Sequence, residues 1–153
     1  MVKRRRTLVA TLGAVLAGCS MQMRAGYFED DRRAAEAAME TLHKRLSDGQ
    51  FEQIYNEADK ALQDTAPKAD LLSSMRATHS TFGSFVRSEV KAAACFPNQV
   101  RFVCHAEYEK GSATEMFTWA IHNDGKAHLV QLQISPGLAE VPVSAANDCK
   151  SRR

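Results

Sequence analysis

The sequence predicts an α+β fold: about three N-terminal helices packed on one face of a four-stranded antiparallel sheet. Two changes along the chain carry that prediction. Between Ala35 and Phe82 apolar residues recur at spacings of three and four, the helical period. From Ser84 onward they recur every second residue, the strand period. A third observation fixes the last pairing: Asn123-Asp124-Gly125-Lys126 joins two alternating runs with a hairpin signal. Helices first and an antiparallel meander afterwards point to an α+β domain.

The first helix follows Asp30 and Asp31, which suit a helix N-terminus and its dipole. Ala35, Met39, Leu42 and Leu46 share its inner face, and Gly49 stands after its end. A second helix is expected over Phe51 to Gln63, with Phe51, Ile54, Tyr55, Ala58 and Leu62 as its stripe. Pro67 opens the third, which turns Leu71, Leu72, Met75, Thr78, His79 and Phe82 inward and stops at Gly83.

Four alternating runs follow. Val86 to Ala94 is the first, ended by Pro97-Asn98-Gln99. Val100 to Tyr108 is the second, with Phe102, Cys104, Ala106 and Tyr108 on one side. The third turns Glu115, Phe117, Trp119 and Ile121 to the same side. The fourth runs from Ala127 to Ser135 and stops at Pro136-Gly137. A two-residue Asp-Gly turn sets Ile121 opposite His128, Trp119 opposite Val130 and Phe117 opposite Leu132. Thr118 with Gln131, and Met116 with Gln133, then lie on the other side. One side is apolar and the other mostly polar, as in a sheet covered on one face.

The chain begins with a basic stretch, Lys3 to Arg6, then a short apolar run, Thr7 to Val15. That is the layout of an export signal, and the run is shorter than the roughly 20 residues of a membrane span. Its ending, Leu16-Ala17-Gly18-Cys19, resembles the lipobox of bacterial lipoproteins. The resemblance implies cleavage before Cys19 and acylation of that cysteine. Two or three acyl chains anchor a small domain stably. It also implies a cell-envelope location, on the periplasmic side of the outer membrane in a Gram-negative cell, since Ser20 rather than Asp follows. The expected organisation is a cleaved signal over 1–18, a lipidated tether over 19–29, one domain over 30–135 and a polar tail over 136–153.

Without residues 1–18 the chain keeps 135 of its 153 residues, enough for one core. It also loses four cations, so the formal charge falls from +2 to −2. No basic face for a nucleic acid is visible. Four cysteines are present. In an oxidising compartment the three besides Cys19 allow at most one internal bridge. Cys95 and Cys104 flank the Pro97 turn and are the expected pair. Simple alternation puts Cys95 on the polar face, so this pairing needs a bulge near Ala94. Cys149 paired with either, or three free thiols, are the alternatives.

Two segments carry a further resemblance. Asp48 to Tyr55, and Leu72 to Gly83 with the strands behind it, look like parts of cystatin-like, nuclear-transport-factor-2-like domains. The likeness covers about Asp30 to Ser135, and small bacterial lipoproteins of uncharacterised function carry this layout. It implies a curved sheet wrapped on a long helix with a conical pocket between them. Catalytic members of the wider fold hold an Asp/His or similar pair in that cone. No such pair maps onto this sequence, so no catalytic residue is carried over.

Three residues are candidates for chemistry on their own pattern. His79 lies on the inward stripe of the third helix, where a general base and a core-edge histidine are the two readings; the second is expected. Glu115 and His128 project toward the covered face near opposite ends of their strands. They are either rim groups in water, as expected, or an acid–base pair on a pocket. The five histidines show no HxxxH spacing, and no metal or cofactor is expected. The sequence thus favours a non-enzymatic binding or scaffold domain. Its expected contacts are the membrane through Cys19 and a small apolar ligand, an envelope protein or a second copy. A periplasmic enzyme working in the pocket is the alternative.

Overall fold

A computed structural model describes residues 28–139 and Cys149. The signal segment, Cys19, the tether and most of the polar tail lie outside the described residues. The fold is α+β. Four helices precede a four-stranded antiparallel sheet: α1 (Phe28–Ser47), α2 (Phe51–Glu57), α3 (Lys60–Thr65) and α4 (Lys68–Phe82). The strands are β1 (Phe85–Phe96), β2 (Gln99–Tyr108), β3 (Gly111–Ile121) and β4 (Ala127–Pro136), paired in the order β1-β2-β3-β4.

α1 is the longest helix and touches all four strands. Ala35, Met39, Leu42, His43 and Leu46 are its buried face. Arg32–Glu36 and Lys44–Asp48 pair along its wet side. The helix already includes Phe28, so Asp30 and Asp31 lie within it rather than ahead of it. It ends in a Schellman arrangement, with Gly49 N–H donating to Leu46 O and Gln50 N–H to Arg45 O.

The single helix expected over Phe51 to Gln63 is two. Ala58 is extended, and Asp59 caps α3 by accepting from Ala61 N–H at 2.8 Å. The break has a tertiary cause. Asp59 N–H donates to Leu129 O at 2.9 Å, so the α2–α3 junction pairs with the free edge of β4. A continuous helix would spend that N–H on its own backbone.

β2 and β3 alternate as the sequence implies. Val100, Phe102, Cys104, Ala106, Glu115, Phe117, Trp119 and Ile121 all face the helices. β1 does not alternate simply. Register shifts occur between Phe85 and Arg87 and between Val90 and Ala92. The first leaves Val86 58% exposed. The second turns Ala93 and Cys95 to the covered side, where both join the core. A bulge of the kind needed to bring Cys95 inward is therefore present, but at Lys91 rather than near Ala94.

The expected Cys95–Cys104 bridge is not formed. Cys95 is bonded to Cys149, and Cys104 is a buried free thiol. The register explains it. Cys95 faces Val100, and Cys104 lies four residues further along β2, about 13 Å at the strand rise. A bridge needs Cα atoms within roughly 7 Å. Cys95 Sγ also lies 3.8 Å from the carbonyl oxygen of Phe28, so the start of α1 and Cys149 meet at one end of β1.

The β3–β4 hairpin corrects a second expectation. His122 N–H donates to Lys126 O and Gly125 N–H to His122 O, so Asn123, Asp124 and Gly125 form a three-residue loop. Gly125 takes φ +77, the left-handed residue that closes such a loop. The extra loop residue sets Ile121 opposite Ala127 and Trp119 opposite Leu129. A register shift at Val130 then restores the expected Thr118–Gln131, Phe117–Leu132 and Met116–Gln133 pairs.

Candidate functional site

Two places under α1 gather the side chains that could act. The first is built on Glu115. Alternation along β3 sends it inward between Cys104 on β2 and Ile134 on β4, and it has no exposed surface. α1 supplies its partner. His43 Nε2 lies 3.0 and 3.2 Å from the two carboxylate oxygens and donates to them. The Tyr108 hydroxyl donates to Glu115 Oε1. Phe85 stacks flat on the His43 ring at 3.8 Å, and Phe117 meets it edge-on. The carboxylate thus has a donor on each side and aromatic rings around them, which is what burial of such a group requires.

The surroundings shift two neighbours. Burial and the adjacent Glu115 carboxylate push the Tyr108 phenol well above its usual range. Burial first, then the charges of Glu115 and Glu36, push the Cys104 thiol up to about 12. Neither ionises near neutral pH, so Cys104 is a packed thiol against Met39 Sδ at 3.7 Å, not a nucleophile. A cavity of about 530 Å³ between α1 and β1 borders the cluster and is lined by His43, Met39, Phe85 and Val90 with Glu36 and Lys44.

The sequence matches no protein-family model and no curated protein.

The second place is a groove of about 360 Å³ between α1, the end of α2 and the β3–β4 hairpin. Ala37, Ala38, Leu42, Ile54, Trp119 and Leu129 form much of its wall. Charged residues stand in pairs at it. Arg45 holds Glu57 through two bonds of 2.6 and 3.0 Å, and Lys126 lies 3.6 Å from Asp124. The bonds from Arg45 and Gln53 hold the Glu57 carboxyl below its usual range. Trp119 Nε1 is buried and has no hydrogen-bond partner among the described residues.

The three residues singled out from the sequence do not come together. Glu115 faces the core as its alternation requires, but it is sealed rather than at a rim. His79 is half-buried at the edge of α4 and packs edge-on against Phe51. His128 is displaced by the three-residue loop: it faces Ala120, not Ile121. Its Nδ1 lies 3.0 Å from Glu57 O, and its ring stacks on His122 at 4.1 Å. His122 in turn bonds Asp59 at 2.7 Å. Burial alone would raise the Asp59 carboxyl, but the bonds from Ala61 N–H and His122 outweigh it and lower it. Among the described residues no three His, Cys, Asp or Glu side chains converge as a metal-ligand set.

His43 is the residue the sequence reading passed over. The signal was there: it stands four residues after Met39 and three before Leu46, on the inner stripe of α1. Tyr108 was legible as a core aromatic, but its bond to Glu115 depends on two long side chains meeting diagonally across the β2–β3 hairpin.

Proposed function

We propose that this chain is an exported protein held to a bilayer through lipid on Cys19, and that its folded domain is a non-enzymatic binding module. The groove beside Trp119 is its ligand site, and the ligand is small and apolar. The observation that carries this reading is the groove itself. About 360 Å³ of mostly apolar lining lies in the range of small-molecule sites. The acid–base group best placed for chemistry, Glu115, is by contrast fully enclosed and committed to His43 and Tyr108. The lipobox resemblance supports the anchor. Helices covering one face of an antiparallel sheet agree with the layout of cystatin-like lipoproteins.

The test has two arms. Cys19→Ser should leave the precursor uncut or release the body from membranes, read by mass and fractionation. Native mass spectrometry of the parent, extracted from membranes, should show a bound small molecule that is lost on unfolding. A protein that is free of any bound molecule and binds no apolar probe overturns the ligand site. A Cys19→Ser chain that matures and fractionates like the parent overturns the anchor.

One observation favours a second reading, an enzyme. His43 borders the 530 Å³ cavity while its Nε2 is oriented by Glu115, the arrangement of a positioned imidazole base. Turnover in a small-metabolite screen that is lost in His43→Gln would establish it.

A further inference from the structure

We propose that the cavity between α1 and β1 is a second binding site, and that it takes a small primary ammonium ion with an apolar body, held by His43 Nδ1 and Glu40. This site is separate from the groove beside Trp119 and needs no catalysis.

The first observation is a ring nitrogen left open. His43 is only 3% exposed and forms part of the cavity wall. Both of its hydrogen bonds run from Nε2 to Glu115, so Nδ1 has no partner. Among the described residues the one buried side-chain nitrogen or oxygen that lacks a partner is Trp119 Nε1. His43 Nδ1 lacks one too, so it is not sealed and keeps contact with solvent. Phe85 covers one face of the ring and Phe117 abuts it edge-on, which leaves the cavity as the space Nδ1 opens on. Because Nε2 carries its hydrogen toward a carboxylate, Nδ1 of the neutral ring is an acceptor. A donor on the ligand completes a chain of bonds through the imidazole to Glu115. A cationic donor also offsets the charge of that buried carboxylate.

The second observation is the balance of charge around the cavity. Glu36 is held by Arg32 at 2.8 Å, and Lys44 by Asp48 at 2.6 Å. Glu40, also in the wall, has no ion partner among the described residues. The unmatched charge is therefore negative. An anion would meet no free cation there, whereas an ammonium ion meets a carboxylate and a lone pair. Met39, Phe85 and Val90 supply apolar wall for the rest of the ligand.

The test uses the full-length, 15N-labelled chain at pH 7 and three probes of similar shape: 2-phenylethylamine, 2-phenylethanol and phenylacetate. The first is a cation, the second neutral and the third an anion. The amine should bind about tenfold tighter than the alcohol, through charge-assisted bonds, and phenylacetate more weakly than either. The bound amine should show proton–proton contacts to the Met39 and Val90 methyls and should move the His43 Nδ1 resonance. His43→Gln keeps a donor for Glu115 and removes Nδ1, so amine affinity should fall about tenfold. Glu40→Gln should weaken the amine about threefold, the worth of one exposed ion pair. Phenylacetate binding as tightly as the amine would overturn the proposal. So would amine contacts to Ile54 and Leu129 of the groove instead, an unmoved Nδ1 resonance, or no binding of the amine at all. The contacts and the Nδ1 resonance are read on the parent, so they decide the matter even if His43→Gln does not fold.

Discussion

Glu115 sits on a central strand with no solvent contact, so its oxygens depend wholly on neighbouring side chains. Removing it strands the Tyr108 hydroxyl and the His43 ring together. Glu115→Ala should therefore cost about 3–5 kcal/mol, the loss seen when one partner of a buried pair is deleted. That is a large part of the 5–15 kcal/mol that usually holds a domain folded. The urea midpoint measures it, and Glu115→Gln, which keeps shape and one acceptor, should lose less. An unchanged midpoint in Glu115→Ala would refute the cluster's role. Cys104 offers a second check at this scale. Its thiol is buried and pushed up to about 12, so it should resist alkylation at pH 8 in the folded protein and react fully in denaturant. Fast native labelling would show that β2 opens. Alternation along β3 made the inward course of Glu115 legible in the sequence. Its partner was not, because pairing a helix residue with a strand residue needs the angle at which α1 crosses the sheet.

At the scale of elements, two junctions carry tests. Gly83 ends α4 at φ +76, and a Cβ there would meet Glu109 Oε2 at 2.7 Å and Glu109 Cβ at 3.1 Å. The same Glu109 Oε2 accepts from Ser84 N–H. Gly83→Ala should thus cost roughly 1–3 kcal/mol through backbone strain and displacement of that bond, read as a lower thermal midpoint. Asp59 joins α3, His122 and the β4 edge. Its carboxyl and that of Glu57 titrate below their usual range when folded. The unfolded chain therefore takes up protons first on acidification. The stability these groups contribute is present above about pH 4 and is lost as pH falls through the folded values. Asp59→Asn keeps a good cap but should flatten the fall in thermal midpoint below about pH 4; Asp59→Ala should also cost about 1 kcal/mol at neutral pH. The helix periods, the switch at Ser84 and the four strand runs were all legible. The break at Ala58 was not, because an edge strand about seventy residues later in sequence, at Leu129, rather than local propensity, ends α2. The hairpin was misread for a related reason. Asp-Gly serves a two-residue turn and also the end of a three-residue loop, and the bulge at Val130 that compensates the second leaves no mark in composition.

For the molecule as a whole, the described covalent tie is Cys95–Cys149, which spans 54 residues of chain. A loop of that length implies up to about 4 kcal/mol from restriction of the unfolded chain. Cys149→Ser should lower the thermal midpoint in air and make it insensitive to a reductant, whereas the parent should respond to one. A parent indifferent to reduction would argue against the bridge. Its misassignment in the sequence reading came from treating nearness along the chain as nearness across a sheet. Once Val100 faces Cys95, Cys104 is out of reach, and the fourth cysteine, far away in sequence, is the one at hand.

The meeting of Phe28, Cys95 and Cys149 at one end of β1 has a practical consequence for anyone labelling this protein. Arg153 is only four residues past Cys149, a reach of about 14 Å when fully stretched. A fluorescent protein or epitope fused there would hang within reach of Phe28, the first described residue of α1. If Cys19 is fixed to a surface, the nine residues from it to Phe28 reach about 30 Å at most, so such a tag would be tethered near that surface, and weak antibody labelling of it would not report burial of the whole body.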